Sequence, residues 1–140
     1  MGWPTGINID GSTGRPTDLN YTGANPTAYI SNTILGGNST PFIYTASTSQ
    51  MTGWSTADLT TYFSRTGANN SLFFTTNEIG LVAPFKYDSA IDFNPSVGSP
   101  AATGGSFSNA RLTNNFFTST TFRGAAGVND NWWKGWAKFN

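Results

Sequence analysis

At 140 residues the chain is one domain at most, and its seven basic and seven acidic residues cancel, with charged side chains making up only 10 % of it. None of the Lys and Arg residues form a run, which argues against a nucleic-acid partner and against attraction to or insertion into an anionic membrane. With no His and no Cys, the Ser-His and Cys-His nucleophile systems and zinc sites of the usual kind are excluded.

The opening residues, Met1-Gly2-Trp3-Pro4, carry neither a basic segment nor the apolar run of a secretory signal, and no apolar stretch is long enough to span a bilayer. An exported protein would then be represented here by a processed or truncated piece. Strand character appears first over Gly6–Asp10, where apolar and polar residues alternate, and is followed by turn chemistry in Asp10-Gly11-Ser12-Thr13-Gly14. Ala28–Leu35 and Phe42–Thr45 read as two further strands, separated by the turn residues Gly36 to Pro41.

One helix is expected. Ser55 has the character of an N-cap and Asp58 supplies the acidic partner of a capping box. Leu59, Tyr62 and Phe63 fall on one face, and Gly67 offers a stop. The apolar face is narrow, so the helix should lie on a strand surface. Beyond Ser71 the chain is irregular, yet eight of its eleven phenylalanines lie between Phe73 and Phe122. Loops so rich in rings must bury many of them, which makes this half a packed, coil-rich cover. The chain closes on Trp132, Trp133, Trp136 and Phe139, interleaved with Lys134 and Lys138.

Thr, Ser and Asn together exceed a third of the residues, with aromatics at 15 %, a mixture suited to strands and turns and common in secreted all-β surface proteins. Four stretches then carry a family likeness. MGWPTGINIDG, SNTILGG, NPSVGSPAATGGSFSNA and FFTSTTFRGAAGVNDNWWKGWAKFN resemble, in that order, the C-terminal portion of secreted right-handed parallel β-helix proteins of Bacteroidota-type bacteria. The ending, Phe-Arg-Gly-Ala followed by Trp and then Gly-Trp, is the sharper part. Where the family has Ala-Phe-Gly after Arg-Gly, this chain has Ala125-Ala126-Gly127.

The resemblance implies an all-β fold: β-helix coils over residues 1–54, the short helix over 55–67 and a loop-rich aromatic cap over 68–140. A solenoid's last coil exposes apolar core and strand edges unless something covers it, and Trp132, Trp133, Trp136 and Phe139 would form that plug. The competing reading is a ring platform for carbohydrate. About three coils are usually needed for a free-standing repeat, whereas this chain supplies about two. The edge marked by Trp3, Ile7 and Ile9 is therefore expected to stack on a preceding β-helix domain or on an identical subunit, and head-to-tail stacking would build a filament.

The acidic residues Asp10, Asp18, Asp88 and Asp92 are the candidates for a carboxylate pair that cleaves polysaccharide. Asp88 and Asp92 are close in sequence but sit beside Lys86 in a turn-like segment, where solvated turn residues are the simpler reading. No cofactor is expected; calcium held by Asp88, Asp92 and carbonyls is the alternative, without EF-hand spacing to support it. Asn20, Asn38 and Asn69 begin N-glycosylation sequons. Arg123 should serve structure, its guanidinium spanning carbonyls or stacking on a ring. The resulting expectation is a non-catalytic extracellular or cell-surface structural or adhesive unit, with a carbohydrate-binding module and a polysaccharide-cleaving enzyme as successive alternatives.

Overall fold

The helix, α1, shows how local sequence organises the first part of the molecule. It spans Thr56–Phe63, and Ser55 ahead of it has extended backbone. The Ser55 N–H donates to the Asp58 carboxylate at 2.8 Å while the Asp58 N–H donates to Ser55 Oγ at 3.4 Å, so two main-chain donors that helix geometry leaves orphaned are satisfied. After the last turn Gly67 takes φ +82°, a left-handed conformation in which any Cβ would be strained.

The computed structural model describes residues 3–10, 29–45, 54–88 and 90–135. These belong to two compact units, Met1–Phe74 and Thr75–Asn140.

In the first unit, strand β1 (Thr5–Asp10) pairs in parallel with β3 (Thr40–Thr45), and β2 (Ile34–Gly36) pairs in parallel with β4 (Ser71–Phe73). Leu59, Tyr62 and Phe63 of α1 are essentially free of solvent contact and pack with Phe42 and Tyr44 of β3. The Phe42 and Phe63 ring centroids are 5.1 Å apart. Ile7, Ile9, Ile30, Leu35 and Trp54 close around this centre. Burying each large side chain contributes about 1.5–3 kcal/mol, so these residues dominate the unit's stability.

The expected strand over Ala28–Leu35 shortens to Ile34–Gly36, and Ala28 lies outside the described residues. Asn32 at φ +53° interrupts extended backbone. Side chains replace the missing ladder bonds. Ile30 N–H donates to the Tyr62 hydroxyl at 3.0 Å, and the Ile30 carbonyl accepts from Arg65 Nη1 and Asn70 Nδ2, each at 3.0 Å. Asn70 Oδ1 accepts from Thr33 N–H at 2.9 Å.

The second unit contains the antiparallel pair β5 (Leu81–Ala83) and β6 (Asp92–Pro95), with a register shift between Leu81 and Ala83. Serines fix the following turn: Ser96 Oγ donates to the Gly80 carbonyl at 2.7 Å and Ser99 Oγ to the Ile79 carbonyl at 2.6 Å. Ile91, Ala101, Ala126 and Trp133 are among the buried residues described in this unit.

This arrangement corrects the all-β expectation. The described residues form three separate two-stranded sheets, two parallel and one antiparallel, with a helix, and no sheet among them closes or continues as a solenoid. The protein is a small mixed α/β structure instead of the end coils of a right-handed parallel β-helix. The physical reason lies in what fills the interior: a β-helix buries strand side chains against further coils, whereas here the helix face of Leu59, Tyr62 and Phe63 occupies the centre. Parallel pairing between segments about 35 residues apart imitates a coil repeat in sequence, as in the bonds from Asn38 to Trp3 and Ser39 to Pro4.

Candidate functional site: the outer edge of the first strand

Thr5-Gly6-Ile7-Asn8-Ile9-Asp10 alternates so that Ile7 and Ile9 turn toward the core while Asn8 is exposed. The start of this strand is clamped by the turn before β3. Asn38 Nδ2 donates to the Trp3 carbonyl at 2.8 Å, and Thr40 N–H and Ser39 Oγ donate to the Pro4 carbonyl at 2.9 and 3.4 Å. Trp3 itself is 85 % exposed, so its ring contributes little to the packing of a single copy.

The two strands of this sheet have different neighbours. β3 is flanked by β1 and by α1, and the Tyr44 N–H donates to Thr56 Oγ1 at 3.2 Å, which engages a main-chain donor of β3 with the helix. Among the described residues β1 pairs with β3 alone, leaving its other edge without a strand. Within Thr5–Asp10 there is no Pro, no Lys or Arg and no bulge, and its one charged residue, Asp10, stands at the end of the strand. Of the residues expected as an assembly edge, Ile7 and Ile9 lie on β1 and pack against the core, while Trp3 precedes the strand and is exposed. The chain pattern did not single out Asn8, the exposed residue at the centre of that strand.

The C-terminal rings form a second candidate. Trp133 is 5 % exposed and meets the Phe93 ring edge-on at 5.6 Å. Trp132 is 48 % exposed, stands at 88° to Trp133, and its Nε1 donates to the Ala125 carbonyl at 2.8 Å. One indole is therefore packed within its unit and its neighbour is tethered with part of its surface in water. Such perpendicular rings do not make a flat two-ring platform. Trp136 and Phe139 lie outside the described residues. Trp133 Nε1 and Asn94 Oδ1 are buried and have no hydrogen-bond partner among the described residues.

The carboxylates weighed for catalysis are engaged in turn geometry. Asp88 Oδ1 accepts from Ala90 N–H and Asp92 Oδ1 from Asn94 N–H, at 2.7 and 2.8 Å, each two residues on. Asp18 and the side chain of Asp10 lie outside the described residues. No three acidic side chains among the described residues converge on a point that could hold a metal. No helix among them is long and apolar enough to cross a membrane.

Of the sequon asparagines, Asn20 lies outside the described residues, Asn38 holds the Trp3 carbonyl, and Asn69 at φ +53° donates to Asn32 Oδ1 at 3.1 Å. A glycan at Asn38 would leave its Nδ2 a single hydrogen with which to hold the Trp3 carbonyl. Arg123 Nε donates to the Thr103 carbonyl at 3.0 Å and its N–H to the Ala101 carbonyl at 2.9 Å, joining two loops of the second unit.

No protein-family model, curated protein or solved structure matches the chain. The likeness to secreted surface proteins accordingly stands on its quoted motifs alone.

Proposed function

We propose that the chain is a non-catalytic structural unit of the cell exterior that acts by strand addition, with a like chain pairing along the outer edge of β1. The observation that carries this reading is that the six residues of β1 pair with β3 and meet no second strand among the described residues. A bare strand edge is a template for another strand, because its main-chain donors and acceptors otherwise bond only water. The exposed ring of Trp3 at the start of that edge would add apolar area to the contact. A low charge content, with no clustered charge to repel a like chain, is consistent with such a role.

Sedimentation velocity of the purified chain over a hundredfold concentration range tests this. Self-association should appear as concentration rises, and Trp3→Ala should weaken it without lowering the melting temperature. A chain that stays monomeric throughout would overturn the reading.

A second reading follows from Trp132. Its indole is held in place by the Ala125 carbonyl while nearly half its surface meets water, which suits stacking against the apolar face of a sugar ring. On this reading the chain would be a carbohydrate-binding module with a single stacking ring and correspondingly weak affinity.

A further inference from the structure

We draw no further inference here: the strongest candidate, the ring cluster of Phe107, Phe116 and Phe117 on the loop closed at its base by the bond from the Gly105 N–H to the Thr121 carbonyl, leaves the Phe116 ring exposed, and nothing in the structure shows what covers it.

Discussion

Leu35 lies directly against Gly6: a β-carbon at position 6 would sit 2.8 Å from both Leu35 δ-carbons and 2.7 Å from the Pro41 carbonyl oxygen. The first of these neighbours can turn aside, but the second is main chain and cannot move without disturbing the β1–β3 ladder. Gly6→Ala should therefore destabilise the first unit by about 1–3 kcal/mol, as overpacking does. Urea denaturation followed by circular dichroism measures it, and an unchanged midpoint would mean that Leu35 does not close over β1.

Asn70 holds three main-chain groups at once. Its Nδ2 donates to the Ile30 carbonyl at 3.0 Å and the Phe63 carbonyl at 2.9 Å, while its Oδ1 accepts from Thr33 N–H. Removing the amide leaves the Ile30 carbonyl with Arg65 but deprives Thr33 N–H and the Phe63 carbonyl of this partner, at about 1–3 kcal/mol each at most, so Asn70→Ala should cost about 2–4 kcal/mol. Asn70→Asp should be worse, because a carboxylate would face two carbonyl oxygens. Chemical denaturation of the pair of variants checks the order; equal stabilities would show that the donors at this position do not matter.

Asp58 gives the fold a pH dependence with a defined sign. Hydrogen bonds from the Ser55 hydroxyl and then the Ser55 N–H hold its carboxyl below the usual aspartate value. A carboxyl with a lowered folded-state pKa stabilises the fold above its unfolded value of about 3.9 and loses that contribution as pH falls through its folded value. Thermal melts of the wild type should drop on this acid limb. Asp58→Asn should start lower at neutral pH and fall less on acidification, and parallel pH profiles would sink the assignment.

Trp132 and Trp133 should respond differently to substitution. Trp133→Ala removes a buried ring seated on Phe93 and should cost about 3–5 kcal/mol in the second unit. Trp133→Phe should cost much less, because the indole N–H that it deletes has no partner among the described residues. Trp132→Ala should cost less than Trp133→Ala. If Trp132 stacks on sugars, the same change should abolish binding to an immobilised panel of cellulose, chitin and xylan oligosaccharides. Melting temperatures and a binding array separate these outcomes, and a Trp132→Ala variant that retains undiminished binding would eliminate the saccharide reading.

Several of these residues were legible before any coordinates. Helix α1 announced itself through Ser55, Asp58 and the spacing of Leu59, Tyr62 and Phe63, because capping and a 3.6-residue apolar period are contacts between residues close in the chain. The strand character of Gly6–Asp10 and Phe42–Thr45 was visible for the same reason. The solenoid reading failed because alternation reports that a strand is half buried without reporting what it is buried against. Both a further coil and a helix satisfy that pattern. The pairing of β1 with β3 was hidden likewise, since Asn8 and Ile43 are 35 residues apart and meet only in the folded sheet.

By itself the sequence determined the local elements: the capped helix, the Gly and Asn turns and the inward positions of Ile7 and Ile9. Tertiary structure alone decided that Phe42 and Tyr44 pack on a helix face, that Asn70 bridges segments 37 and 40 residues away, and that adjacent Trp132 and Trp133 have unequal burial. The division follows from range. Backbone preferences and caps act over three or four residues and are written in the chain, whereas burial depends on which distant surface arrives opposite, and many surfaces satisfy the same apolar pattern.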